Sequence, residues 1–200
     1  ALGWWVGRQV GSGVPYFEGL DLPPLAGEDA DSVAANSLRA LGAALASTGA
    51  VALFHVAGVT PEARERNDLL TLGVQDLLVD TLAPAIGALN GSQEPIDLVV
   101  IGCPHASLGE VREVARLVRG RQLAAILWVT TSRAVRDEAE REGLVADISR
   151  SGGRVVADGC VAVAPMPELG YRSMATNSAK MAAYALPHAG LQVRFGGLEE

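Results

Sequence analysis

Ile96-Asp97-Leu98-Val99-Val100-Ile101-Gly102-Cys103-Pro104-His105-Ala106-Ser107 decides how the rest of the chain is read. Five of the first six residues are apolar and most are β-branched, the pattern of a strand buried on both faces inside a parallel sheet. Gly102 permits a sharp turn, and Pro104 fixes φ and removes a backbone donor. Ser107 suits a helix N-cap, with Glu110 completing a capping box. A cysteine therefore stands at the carboxyl end of a central strand, just before a helix N-terminus. Open α/β sheets bind their ligands at that edge, and a thiolate there gains from the helix dipole.

Working outward, Leu108 to Val118 has an amphipathic helical pattern, and Leu123 to Val129 reads as a second buried strand ending at Thr130-Thr131-Ser132-Arg133. Arg133 to Glu142 is a charged helix in which Glu138 and Glu142 are spaced to pair with Arg133 and Arg141. A short helix over Leu144 to Ser151 and the Gly152-Gly153 turn lead into a third strand, Arg154 to Asp158, followed by Gly159-Cys160. Further on, Thr176-Asn177-Ser178-Ala179-Lys180 precedes an Ala-rich segment. Asn177 or Ser178 there could cap a helix whose amides bind an anion, with Lys180 adding charge.

Toward the N-terminus, Ser32 is placed to cap a helix over 33–48 that Gly49 ends, and Ala50 to Val56 reads as a buried strand. His55 inside that strand reads as a core imidazole with a hydrogen-bonded partner. Pro61 suits the first position of a further helix. Asp68 to Leu89 reads as a helical stretch broken at Gly73, Pro84 and Gly87. Residues 1–30, rich in Gly and Pro (Gly11-Ser12-Gly13, Pro15, Pro23-Pro24), show no sustained period. They read as a connecting or docking segment ahead of an α/β domain over 31–200, with Trp4 and Trp5 packing elsewhere in the protein. Alternating strands and helices with short turns predict an α/β fold: a parallel or mostly parallel sheet with helices on both faces.

The chain has 200 residues, 49% of them hydrophobic but only 4% aromatic, enough for a core built from Ala, Val and Leu. A net charge of −7 gives no support to nucleic-acid binding, which needs clustered Lys and Arg. No apolar run reaches the roughly 18 residues of a membrane span. Two cysteines make no disulfide framework and suit a reducing, cytoplasmic compartment. The start at Ala1-Leu2-Gly3, without Met or a signal pattern, reads as a beginning inside a longer protein.

In a parallel sheet every carboxyl end lies on one edge, so Cys103, the Thr131-Ser132-Arg133 turn and Cys160 should approach one another. The alternative is two unrelated buried thiols, since free Cys is among the most buried residue types. No Cys-x-x-Cys or close His pair supports zinc, and a cluster generally takes three or four ligands, so two thiols would need another from elsewhere. Arg133 suits a bidentate grip on a carboxylate, or an ion pair with Glu138 or another acid. His105 could orient a ligand or cap the turn after Pro104. Thr131 and Ser132 could contact substrate, and Ser132 could equally cap a helix.

Asp97 to Ser107 (D-L-V-V-I-G-C-P-H-A-S), Leu127 to Arg133 (L-W-V-T-T-S-R), Gly153 to Cys160 (G-R-V-V-A-D-G-C) and Asn177 to Tyr184 (N-S-A-K-M-A-A-Y) occur in one order. Together they resemble the aconitase X family of dehydratases, departing at Gly159, where many members carry Thr. The resemblance covers most of the chain and is weakest around 65–93. It implies an aconitase-like three-layer domain and iron or an iron–sulfur cluster held by three cysteines, of which Cys103 and Cys160 match two. The third would lie outside this chain, as would a small swivelling domain or small subunit. Lys180 matches a substrate-contacting lysine in the Ser-Ala-Lys motif that also includes Ser178.

The implied chemistry is dehydration of a small hydroxy acid, cis-3-hydroxy-L-proline in bacteria or mevalonate 5-phosphate in archaea. The Ala- and Arg-rich composition favours the former. Iron would polarise the leaving hydroxide, while no residue here is identified as the base. The expected site is thus Cys103 and Cys160 for metal, with Lys180, Ser178, Arg133, Ser132 and His105 for substrate. A non-catalytic α/β anion-binding module is the competing reading, and the 200-residue chain by itself is expected to be inactive.

Overall fold

Gly3 and Gly7 share one side of helix α1 (Leu2–Val10) and let it lie close against α2 (Val33–Thr48). A Cβ at Gly3 would meet the Leu41 carbonyl oxygen at 2.7 Å, and one at Gly7 would collide with the Thr48 side chain. Strand β1 (Tyr16–Phe17) pairs in parallel with β2 (His55–Val56). Val6, Phe17, Leu45, Val51, Val56 and Val59 close a small core with Trp5, Leu38, Leu41 and Phe54. Ser32 caps α2, accepting from the Ala35 amide at 3.2 Å, and Pro61 opens the short α3 (Pro61–Glu65).

The computed structural model describes residues 1–23, 25, 31–66, 68–70, 73–91 and 95–199. The chain divides into two compact units, Ala1–Ala85 and Ile86–Glu200. The segment read as a connector over 1–30 therefore begins with a nine-residue helix that belongs to the first unit. Its buried stripe is Gly3, Val6 and Gly7, and glycine does not register in a hydrophobic period. Pro24 and residues 26–30 lie outside the described residues. Of the strand read over Ala50 to Val56, only His55 and Val56 pair. His55 is buried beside the Tyr16 ring, but its Nδ1 has no partner among the described residues, unlike the bonded imidazole expected.

The helical stretch expected over Asp68 to Leu89 reduces to α4 (Ala83–Leu89). Residues 71 and 72 lie outside the described residues. Leu70, Val74, Leu77 and Leu78 are exposed, so a helix there would have no buried face, which is where helices in proteins gain most of their stability.

The second unit is a five-stranded sheet of order β5-β4-β3-β6-β7 in which every neighbouring pair is parallel. In chain order it runs β3 (Leu98–Ala106), α5 (Leu108–Val118), β4 (Ile126–Thr131), α6 (Arg133–Arg141), α7 (Leu144–Arg150), β5 (Gly153–Ala157), a 3-10 turn (Val161–Val163), β6 (Ser173–Thr176), α8 (Ala179–Ala189) and β7 (Gln192–Phe195). Val99, Ile101, Leu127, Val129 and Val155 project from one face into a core with α5, α6 and α7. Leu98, Val100 and Met174 project from the other face and are fully buried, as is Met181 of α8. The predicted α/β architecture, with helices on both faces, is therefore the observed one. Strands β6 and β7 were not anticipated from the sequence. Among the described residues, no helix is long and apolar enough to cross a membrane.

Strand order reverses between β3 and β6: α5 leaves β3 on one face and α8 leaves β6 on the other. That is the topological switch point of an open α/β sheet, and the crevice it creates is the usual ligand position. Asp97 fastens the opposite ends of these two strands. Its carboxylate accepts the Arg172 and Ser173 amides at 2.9 and 3.1 Å, and its own amide donates to Ser173 Oγ at 3.0 Å. These bonds hold the Asp97 carboxyl below its ordinary value of 3.8.

A carboxylate with a depressed pKa contributes stability above its unfolded value and loses that contribution as pH falls through the folded value. Asp97→Asn is expected to lower Tm, with a gap from wild type that is constant between about pH 7 and about pH 5 and closes below 3.8, measured by circular dichroism melts. A gap that does not depend on pH would contradict the carboxylate's role.

Candidate functional site

The carboxyl end of β3 is a strand with a loop pushed out of it. Ile101 pairs with Val129 and Ala106 with Thr131, so five steps of β3 match two of β4. The excess lifts Gly102, Cys103, Pro104 and His105 above the sheet before the chain rejoins its partner at Ala106. The Cys103–Pro104 peptide bond is cis. Two hydroxyls pin the loop's feet: Thr130 Oγ1 donates to Gly102 O and Thr131 Oγ1 to Ala106 O, each at 2.6 Å. Gly102 has φ +102, and a Cβ there would collide with the Thr130 carbonyl oxygen. Ser107 and Glu110 form the expected capping box on α5. Thr131, open to a substrate-contact reading in the sequence, is fully buried and committed to the loop.

Ser178 caps α8, accepting from the Met181 amide at 3.0 Å, and its hydroxyl donates to the Cys103 carbonyl oxygen across the switch point. Lys180 lies in the first turn of α8, its Nζ 6.0 Å from the Tyr184 ring centre. Cys103 is half-buried and Cys160 exposed, both as free thiols. Burial pushes the Cys103 thiol up. The Ser178 hydroxyl and the Lys180 charge pull it down, while the Cys160 thiol adds to the rise. The Ser178 hydroxyl, the Lys180 charge and the Cys160 thiol are thus each near enough to Cys103 to act on its thiol.

His105 is exposed and its Nε2 lies 2.9 Å from the Gly159 carbonyl oxygen, one residue before Cys160. Arg133 takes up the ion-pair alternative, with Asp158 rather than Glu138 as its acid. Its amide and Nε donate to the Asp158 carboxylate at 3.0 and 3.1 Å, and its Nη2 lies 2.9 Å from the same carboxylate as an ion pair. Glu138 pairs with Arg141 instead, and Glu142 with Arg112 of α5 at 2.5 Å. Ser132 caps α6, accepting from the Val135 amide at 3.3 Å, the second of the two roles read for it. Sequence reasoning missed Asp158 as a partner. An acid before a Gly at a strand end was the available signal.

The residues present also bear on a metal. Cys103 and Cys160 are the free thiols near this edge, and a bound cation would favour their thiolate forms. Among the described residues, no group of three or more His, Cys, Asp or Glu side chains could hold a metal ion. The donor set thus fits part of an iron–thiolate site rather than a whole one.

Residues 96–200 match the protein-family model described as Aconitase X third domain, and residues 1–80 match the one described as Aconitase X second domain. The chain belongs to the aconitase X family. A crystal structure of Thermococcus kodakaraensis aconitase X in its holo-form superposes with a TM-score of 0.79 at 37% identity, over 99% of this chain and 48% of that one. The Phosphomevalonate dehydratase large subunit of Methanocaldococcus jannaschii is 38% identical over all of this chain and 48% of its own length. A Cis-3-hydroxy-L-proline dehydratase of Pseudomonas aeruginosa is 39% identical over 82% of this chain and 30% of its own. The chain spans about half the length of the phosphomevalonate-type relatives and of the aconitase X structure.

Within this aconitase X chain, the Gly102 turn has no room for a side chain. Gly102→Ala is expected to cost roughly 3 kcal/mol, from a strained φ and a backbone collision together, read as a lower denaturant midpoint. A midpoint equal to wild type would contradict the pinned loop.

Proposed function

We propose that this chain forms the iron-binding, substrate-facing part of a hydro-lyase that dehydrates a small hydroxy acid. The observation that supports this best is the Ser178 bond to the Cys103 carbonyl oxygen across the switch point, with Lys180 and Cys160 near enough to act on the Cys103 thiol, in a family whose relatives are named dehydratases. Cys103 and Cys160 hold the iron centre with a ligand from elsewhere. Bound there, iron supplies Lewis-acid polarisation of the departing hydroxyl.

The chain's own groups bind and orient. Lys180 and the first amides of α8 attract the substrate carboxylate. Ser178 serves twice: it caps that helix and fixes the Cys103 turn through its carbonyl oxygen. His105, Arg133 and Ser132 border the same edge, with Arg133 and Ser132 already engaged by Asp158 and by the α6 cap.

cis-3-Hydroxy-L-proline is the substrate we favour, because it presents one carboxylate and the edge presents Lys180 as a cation beside the thiols. Mevalonate 5-phosphate is the second reading, favoured by the names of four relatives that match 96–100% of this chain at 35–41% identity. The large-subunit names also favour a small closing domain or subunit as partner. We place the protein in the cytoplasm, where thiols stay reduced.

Whole protein purified without oxygen is expected to dehydrate cis-3-hydroxy-L-proline rather than mevalonate 5-phosphate. Cys103→Ala and Cys160→Ala should each lower bound iron and kcat by roughly a hundredfold or more, the upper end of what is lost when support of a metal centre is weakened. Lys180→Ala should raise KM by roughly tenfold, the scale of one charge-assisted bond. Full turnover by the iron-free double cysteine variant would overturn the reading. Turnover of the phosphorylated acid alone would select the second substrate.

A further inference from the structure

Cys103 lies in the bulged end of β3 and Cys160 just past β5, strands that are not neighbours because β4 lies between them. Adjacent strands stand about 4.8 Å apart, so two strand spacings put the two strand ends roughly 10 Å from each other. A metal–thiolate bond is only about 2.3 Å long. Parallel topology brings the two thiols to one edge but leaves that gap only just spanned by two fully extended side chains and one ion, so a lean of the turn carrying Cys160 back across the end of β4 brings a shared centre within easy reach.

Two contacts make it lean. The first comes from the lifted loop of β3: the Gly159 carbonyl can only accept, so His105 Nε2–H donates to it, at 2.9 Å. The second comes from the start of α6, directly after β4. Asp158 sits at φ +54, a left-handed conformation that a non-glycine residue adopts only when its surroundings hold it there. Its carboxylate accepts from the Arg133 amide and Nε and pairs with the Nη2 charge, and its amide donates to the Thr131 carbonyl oxygen at 2.9 Å. The helix N-terminus favours a carboxylate at that point. The residues immediately before Cys160 are thus tied to β3 on one side and to the β4–α6 junction on the other.

We propose that His105 and the Arg133–Asp158 pair are positioning residues that set where Cys160 stands relative to Cys103. The inference rests on the reading above that the two thiols share one metal centre, and it assigns His105 and Arg133 to that alignment rather than to contact with substrate. Loss of either tie lets the Cys160 turn relax toward the line of β5, leaving each thiol reactive but no longer within reach of the other.

The test measures thiol proximity without metal or turnover. Whole protein, stripped of iron and kept reduced, is treated with dibromobimane, which bridges two thiols only when both reach it, and the Cys103–Cys160 cross-linked peptide is quantified by mass spectrometry. Wild type is expected to give the cross-link. His105→Ala should lower its yield about tenfold, within the effect of a misplacement near 1 Å on an intramolecular reaction. His105→Gln, which keeps a donor near the position of Nε2, should restore most of it. Arg133→Ala, a change at a side chain 77% exposed and so tolerable for folding, should also lower the yield.

Labelling of each cysteine by monobromobimane should stay within about twofold of wild type in every variant, since access alone is not at issue. Unchanged cross-linking in both His105→Ala and Arg133→Ala overturns the positioning role and leaves the shared-centre reading standing. Absence of the Cys103–Cys160 cross-link in wild type, with both thiols labelling singly, overturns that reading and this proposal together.

Discussion

Two threonine hydroxyls at the end of β4 carry the site. Thr130 and Thr131 grip the carbonyl oxygens of Gly102 and Ala106, the two feet of the loop that β3 extrudes. Between those feet, Gly102 turns through a conformation with no space for a Cβ, and Cys103, Pro104 and His105 stand clear of the sheet. Gly102 and Pro104 interrupt the ladder, and the two hydroxyls hold the ends of the interruption. The cysteine stands above the edge because a neighbouring strand supplies hydroxyls where the β3 ladder lapses.

The rest of the site follows from topology and from what topology leaves undone. Strand order reverses between β3 and β6, so α5 and α8 diverge and Ser178 bridges the crevice to the Cys103 carbonyl. Lys180 is carried to the same place by the first turn of α8. On the other side of β3 the sheet supplies only rough alignment, because Cys160 follows a strand once removed. We assign the remaining alignment to the local hydrogen bonds of His105 and Arg133. The division is physical: backbone ladders place strand ends within about a strand spacing, and side-chain bonds refine position at the scale of a metal–ligand bond.

Much of this was legible in the sequence because the elements concerned bury conventional apolar faces. The β3 run, the α5 capping box from Ser107 to Glu110 and the Ser32 cap of α2 all lie where their residue types put them. Helix α1 escaped because its buried stripe includes Gly3 and Gly7, whose contribution is close approach rather than hydrophobicity. Strands β6 and β7 escaped because they are four residues each, and Ser173, Thr176, Gln192 and Arg194 dilute their apolar pattern. The strongly apolar stretch from Asp68 misled in the opposite sense: it suggested a helix, but Leu70, Val74, Leu77, Leu78 and Val79 are exposed in the structure. Of the site residues, the placing of Cys103 and Cys160 at strand ends on one edge was legible from parallel pairing, whereas the intervening position of β4 was not. Nor was the Asp158 pairing of Arg133, since it depends on how a turn leans.

The central claim is that Cys103 and Cys160 bind one iron centre at this sheet edge. An anomalous difference map at the iron edge, from crystals of the whole protein grown without oxygen, tests it most directly. The account predicts a single iron-containing peak within bonding distance of both sulfurs, about 2.3 Å from each if one ion is shared. Iron located away from either sulfur, or a peak bonded to only one of them, would contradict it.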